Sequence, residues 1–280
     1  MQMPIVGLVS AGQMGAALGA ALRGGGAQVL TTLEGRSART ANLAKQAGLT
    51  IMPTFREVVE KSEMVLSVTP RGAAAETARR IAATAPAEKI VADLNAVSPA
   101  TIAAMAADLP GLRLVDGSIS GPPPAARTRT TIYLAGPDAG AVAGLPWGES
   151  VETVVVSDRI GAASAVKMCT GSVYKGLTAL ITQALRTAGA NGVLDHVVAD
   201  LERSHLAHTA SVARSAPKAH RFVAEMREVA ATQRAAGLTP ALFEAIAAIY
   251  AEIADTRLAQ GFPESVPELS PREIVARLAG

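Results

Sequence analysis

The sequence predicts an α/β protein in two parts, an N-terminal doubly wound Rossmann-type sheet followed by an all-helical domain, and three observations carry that expectation. Up to about residue 160, short β-branched runs alternate with Ala-rich stretches of helical spacing, the pattern of a parallel sheet covered by helices. From Gly161 onward the β signal vanishes and nearly every segment reads as helix. A chain of 280 residues holds about two domains of roughly 150 residues, so the composition shift divides it into residues 1–160 and 161–280.

In order, the expected strands are Pro4 to Val9, Gln28 to Thr32, Met64 to Val68, Lys89 to Asp93, Leu112 to Ile119, Thr131 to Ala135 and Val151 to Val156. Gln13 to Leu22 reads as the first helix, and Ser37 as the N-cap of a second that stops at Gly48. Pro99 suits the first turn of another helix, running to about Asp108. Beyond the boundary, helices are expected over Gly161 to about Ala188, Val193 to Glu202, Pro217 to Ala236 and Pro240 to Gln260, with a short one closing the proline-rich tail.

Composition excludes several functions. Hydrophobic residues make up 49% but aromatics only 3%, too few for base-stacking platforms. With 26 Lys and Arg against 24 Asp and Glu, no run of like charge tracks a phosphate backbone, so nucleic acid is not an expected partner. The single cysteine, Cys169, cannot form an intrachain disulfide and reads as a buried residue of a reducing compartment. The uncharged first 22 residues lack the basic n-region and long apolar stretch of a signal or membrane segment, and the expectation is a soluble cytoplasmic protein.

The strongest local signal is GLVSAGQMG, Gly7 to Gly15, between the first strand and the first helix. There a glycine-rich turn lets a pyrophosphate approach the backbone and sit on a helix N-terminus, where free N–H groups and the dipole attract it. Gly12 would permit the approach, Gly15 the close packing of helix on strand, and Ser10, Gln13 and Met14 complete the cradle. Ser10 stands where the G-x-G-x-x-G fingerprint has its first glycine. After the second strand, Glu34 lies where an acid would hold the ribose of NAD(H). Arg36 and Ser37 could instead bind the 2′-phosphate of NADP(H), which is the favoured cofactor. A helix cap explains Ser37 equally well without a ligand.

Three further segments, VTPRG at Val68 to Gly72, ADLNAVSP at Ala92 to Pro99 and DGSISGPP at Asp116 to Pro123, join GAASAVKM at Gly161 to Met168 in one series. In order and spacing this series resembles the β-hydroxyacid dehydrogenase family, relatives of 6-phosphogluconate dehydrogenase. The helices after residue 216 resemble the C-terminal domain of one branch of that superfamily. The resemblance implies that Ser120 and Gly121 grip a substrate carboxylate or equivalent anion and that Lys167 is the acid/base partner of the reacting oxygen. It also implies that Asn95 stands near nicotinamide and substrate, and that Thr69 and Pro70 border the cofactor. Where the family has a substrate-binding Asn, four residues after the lysine, this chain has Gly171.

At about 100° per residue, Tyr174 lies only about 20° from Lys167 around a helix and Gly171 about 40°, so Tyr174 is the candidate replacement, with Lys175 near enough to bind substrate. His196, His205, His208 and His220 show no metal-like pairing, and no metal is expected. Trp147 reads as packing. Taken together, the sequence points to hydride transfer between NADP(H) and a small anionic hydroxy acid or its oxo form, in a cleft between the two domains of a homodimer. Reduction of a C=N bond and a catalytically silent NADP-binding sensor are the alternatives.

Overall fold

The computed structural model describes residues 3–69 and 71–279 of the chain. The chain divides into two compact units, Met1–Lys167 and Met168–Gly280.

In the first unit, strand and helix alternate. The strands are β1 (Ile5–Val9), β2 (Gln28–Thr32), β3 (Thr50–Met52), β4 (Met64–Ser67), β5 (Lys89–Asp93), β6 (Leu112–Ser120), β7 (Thr130–Ala135) and β8 (Val151–Ser157). The helices between them are α1 (Gln13–Gly24), α2 (Ala38–Gln46), α3 (Phe55–Lys61), α4 (Ala74–Ala82), α5 (Pro99–Asp108) and α6 (Ala139–Ala143). One sheet runs in the order β3-β2-β1-β4-β5-β6-β7-β8, with the reversal of strand order between β1 and β4. Every neighbouring pair is parallel except β6 and β7, which are antiparallel through pairs such as Ser118 opposite Tyr133. The sheet is thus parallel in the main, as the sequence leads one to expect, with one antiparallel pair. No α-helix lies between Ser120 and Thr130, and without a crossover the chain turns straight back.

Alternation along the strands supplies both faces of the core. Leu8, Leu66, Ala92 and Val115 pack in one cluster with Leu18, Leu22 and Trp147. Their sequence neighbours Val9, Val65, Val91 and Leu114 pack in the opposite cluster with Phe55, Ile81 and Ile102. Successive side chains point to opposite faces of a strand, so strands covered on both sides read as continuous apolar runs. Trp147 is buried as expected and donates Nε1–H to the Val142 carbonyl at 2.9 Å. Ser37 caps α2 as expected, accepting from the Thr40 N–H at 3.3 Å.

The long helix α7 (Ala162–Ala190) begins in the first unit and continues into the second. There it is followed by α8 (Leu194–Arg203), α9 (Thr209–Ser215), α10 (Ala219–Ala235), α11 (Ala241–Ala254) and α12 (Pro271–Leu278). A single 3-10 turn, Ala216–Lys218, joins α9 to α10, so the helix expected from Pro217 starts in that turn. Tyr250 of α11 is fully buried, meets Phe222 edge-on at 5.2 Å and donates its hydroxyl to the Lys175 carbonyl at 2.8 Å. Ser270 and Glu273 form a reciprocal capping box at the start of α12. Cys169, expected to be buried, is exposed. Among the described residues no helix is long and apolar enough to cross a membrane.

Candidate active site

At the carboxyl ends of β1 and β4, where the strand order reverses, an open α/β sheet leaves a crevice for ligands. Ser10 leaves β1 with φ +78°, the left-handed conformation that the fingerprint's first glycine normally supplies. A Cβ on Gly15 would drive into the Ser10 carbonyl oxygen, so this glycine is required for α1 to lie against the turn. Gly12 differs. Its φ of −66° suits any residue, and a Cβ there would meet no protein atom within 4 Å. Gly12 is the N-cap of α1, makes no side-chain cap, and the first turn holds no acid. The N–H groups of Gln13, Met14 and Gly15 thus face an open cradle that a side chain at position 12 would fill, and the turn fits the pyrophosphate of a dinucleotide.

The residues after β2 split into two groups. Glu34 turns toward α3: its Oε2 accepts from the Phe55 N–H at 3.2 Å and pairs with Arg80 at 3.5 Å, while the Arg80 guanidinium lies 4.0 Å over the Phe55 ring. Arg36 and Ser37 are exposed. Ser37 uses its hydroxyl oxygen on the helix cap, leaving Arg36 as the guanidinium between Glu34 and α2.

The end of β4 is tied down from β5. Asn95 is buried; its Oδ1 accepts from the Thr69 N–H at 2.7 Å and its Nδ2 donates to Ser67 Oγ at 3.2 Å and Asp93 Oδ2 at 2.9 Å. Both amide protons are thereby engaged, and Asn95 ties the turn after β4 to the end of β5. Burial pushes the Asp93 carboxyl up to about 6, against hydrogen bonds from Asn95 that favour its ionised form. The Thr69 hydroxyl is buried yet has no partner among the described residues, an orphan at the edge of the crevice that a bound dinucleotide could satisfy. Pro70 lies outside the described residues.

Next to β5 in the sheet, β6 grips the start of α7. Asp116 Oδ2 accepts from the Gly161 N–H at 2.9 Å and the Ser164 N–H at 3.1 Å, while Oδ1 accepts from the Ser164 hydroxyl at 2.6 Å. Two residues along the same face, Ser118 donates to the Ala163 carbonyl at 2.8 Å. Burial raises the Asp116 pKa, and the Ser164 hydroxyl and backbone N–H groups oppose the shift. One turn into α7, Lys167 Nζ donates to the Ile119 carbonyl at 2.7 Å. That bond sets the ammonium beside Ser120 and Gly121, the next two residues. Gly121 has φ +111°, and a Cβ on it would press on the Arg129 carbonyl at 3.0 Å. The three residues named for substrate chemistry in this unit are therefore brought together by one strand end and one helical turn.

In the second unit, Tyr174 is 70% exposed. Lys175 is instead largely buried, ion-paired with Glu225 and 5.1 Å from the Phe222 ring centre. A Cβ on Gly171 would lie 3.5 Å from the Lys175 ammonium, so that ammonium occupies the space a side chain at 171 would enter. Sequence reasoning passed over Asp93, Asp116, Ser164 and Arg80. A signal for the first two was present, an acid inside each of the apolar runs KIVAD and LRLVDGSIS. Nothing in the sequence joins Arg80 to Glu34 across 46 residues.

Comparison with known proteins places the fold. Residues 5–145 match the family described as the NAD binding domain of 6-phosphogluconate dehydrogenase. Residues 188–266 match a domain of unknown function, DUF1932. An uncharacterized 28.5 kDa protein of Methanothermus fervidus is 26% identical over 178 residues, 63% of this chain and 68% of that protein. A conserved protein described as structurally similar to 3-hydroxyacid dehydrogenases superposes with TM-score 0.67 at 28% identity, over 90% of this chain and 97% of its own. The fold is shared with Mycobacterium tuberculosis 3-hydroxyisobutyrate dehydrogenase solved with L-serine, at TM-score 0.70, 19% identity and all of both chains. It is shared also with a Pseudomonas imine reductase, at TM-score 0.56, 17% identity, 90% of this chain and 93% of the other.

Proposed function

The chain belongs to the family of the NAD binding domain of 6-phosphogluconate dehydrogenase, and from that premise we propose that it is a cytoplasmic, NADP(H)-dependent oxidoreductase. Its substrate is a small anionic hydroxy acid or the corresponding oxo form. The observation that carries the reading is the Lys167 ammonium fixed on the Ile119 carbonyl at 2.7 Å, beside Ser120 and Gly121.

When bound, the nicotinamide supplies or accepts the hydride. The chain's own residues do the rest. The Ser120 hydroxyl and the Gly121 N–H offer convergent donors to a carboxylate, which fixes the neighbouring carbon. Lys167 stabilises the negative charge that grows on the carbonyl oxygen during reduction and delivers a proton to it; in oxidation it takes the hydroxyl proton. Asp116 and Ser118 hold the first turn of α7, so the amine is positioned before substrate arrives. Asn95 fixes the Thr69 backbone at the crevice. The α1 N-terminus takes the pyrophosphate. Preference for NADP(H) is supported by Glu34, whose carboxylate is engaged by Phe55 and Arg80, while Arg36 remains to meet a 2′-phosphate.

Oxidation of NADPH with a panel of small oxo acids, semialdehydes and cyclic imines tests the reading. Lys167→Met should lower turnover about 10² to 10⁴-fold while NADPH still binds. An iminium is already cationic and is repelled by an ammonium, so a phenol serves it better. The exposed Tyr174 favours that second reading, and Tyr174→Phe proving more damaging than Lys167→Met would select it. Absence of turnover with every substrate, NADPH still binding, would select a silent sensor. A homodimer is part of the proposal, supported by Val173 and Leu180, exposed at 64% and 67% along α7. Light scattering at micromolar concentration should give twice 28.5 kDa.

A further inference from the structure

The backbone from Thr209 to Ala235 is helical throughout, α9 passing through the Ala216–Lys218 turn into α10. Its inner side is apolar: Val212, Ala213, Ala216, Ala219 and Met226 are buried. Along the other side stand Arg214, Lys218 and Arg221, four and three residues apart, within an arc of about 60° at helical spacing. Arg214 and Arg221 are exposed and Lys218 is half-buried between them.

Three cations at that spacing repel one another unless acids intervene. The next acid on the arc, Glu225, forms a largely buried ion pair with Lys175. Arg221 makes polar contacts of its own. Among the described residues Lys218 has neither a hydrogen bond nor an ion pair through its ammonium. Burial, then the charges of Arg221 and Arg214, lower its pKa, and no acid counters them. Surface lysines escape such a position by extending into water. A half-buried ammonium flanked by two guanidiniums is a fold paying repulsion to keep positive charge in one place.

We propose that Arg214, Lys218 and Arg221 form an anion-binding site in the second unit, taking a doubly charged oxyanion of the phosphate or phosphate-monoester class. Two planar guanidiniums offer paired donors to the oxygens of such a group, and the ammonium adds a point charge behind them. The site lies inside the 188–266 segment and does not rest on the coenzyme reading, which concerns the first unit.

The experiment compares thermal midpoints of the full chain in inorganic phosphate, in glycerol 3-phosphate and in sodium chloride of equal ionic strength. Either phosphate at ten times its dissociation constant should raise the midpoint by about 3 °C over chloride. Lys218→Met and Arg214→Ala should each abolish that rise, and Lys218→Met should leave the midpoint in chloride equal or higher, because repulsion is relieved. Tighter binding of the ester assigns an organic phosphate; equal binding assigns the free ion. A rise that persists in both variants places phosphate elsewhere and overturns the proposal. So does a rise matched by chloride, or a lower midpoint of Lys218→Met in chloride, which would make Lys218 a structural residue.

Discussion

Helices α1 and α7 begin in the same unit and meet the same electrostatic problem in opposite ways. Each N-terminus presents N–H groups without intrahelical acceptors. At α7 the chain supplies its own anion: Asp116 takes the N–H groups of Gly161 and Ser164, and Ser164 adds its hydroxyl. At α1 no side chain caps the end, Gly12 leaves open space, and the first turn has no acid. A closed N-terminus holds the turn that leads to Lys167; an open one leaves its N–H groups to an anion from outside in the function proposed above. One local geometry is thus closed by the chain's own side chains in one place and left open in another.

The largest way to break the comparison is Gly15→Ala. Its Cβ would collide with a backbone oxygen of Ser10 rather than a yielding side chain. Stability of the first unit should fall by about 3 kcal/mol. The single tryptophan, Trp147, is buried in that unit, so its fluorescence during urea unfolding reports the loss. Asp116→Ala attacks the closed end, leaving two backbone N–H groups and the Ser164 hydroxyl without an acceptor. A loss of about 2–3 kcal/mol by the same probe is expected, with turnover falling as Lys167 loses its fixed position.

Ionisation sharpens the contrast. Asp93, at the end of β5, is like Asp116 a buried acid, and its pKa is raised from 3.8 to about 6. An acid raised on folding gives stability that is present in full below about 4 and lost as pH rises through 6. Unfolding free energy by Trp147 fluorescence should therefore drop by on the order of 2 kcal/mol between pH 4 and 7. Asp93→Asn should flatten that slope, leaving the part that Asp116 contributes.

How much of this was legible in the sequence follows from length and spacing. Long apolar runs such as KIVAD and LRLVDGSIS declared their strands, and Ser37 and Pro99 their helix starts. β3, three residues of which two are exposed, and α3, seven residues, were too short to show a period. The cradle at Gly12 was readable because one short segment contains all of it. The clamp on α7 was not, since Asp116 and Ser164 are 48 residues apart and only the fold brings them together. Lys175 was placed near substrate by its angle on the helix, but its ion pair with Glu225 on α10 is tertiary and invisible to that reasoning.

A smaller effect probes the first glycine position. Ser10 holds φ +78° at a strain cost, so Ser10→Gly should stabilise the first unit by about 1 kcal/mol if its hydroxyl serves only the ligand.

The most direct measurement is a fluorescence titration of NADPH and NADH into the wild-type chain and Gly12→Ala. Position 12 has a backbone any residue adopts and no protein neighbour for a Cβ, so the variant should unfold within about 0.5 kcal/mol of wild type. The wild type should bind NADPH saturably and at least about tenfold more tightly than NADH, a difference of about 1.4 kcal/mol. Gly12→Ala should lose at least about tenfold in affinity for both. Failure of the wild type to bind either nucleotide, or a Gly12→Ala variant that binds as tightly as wild type, would contradict the claim that the uncapped end of α1 is kept for a dinucleotide.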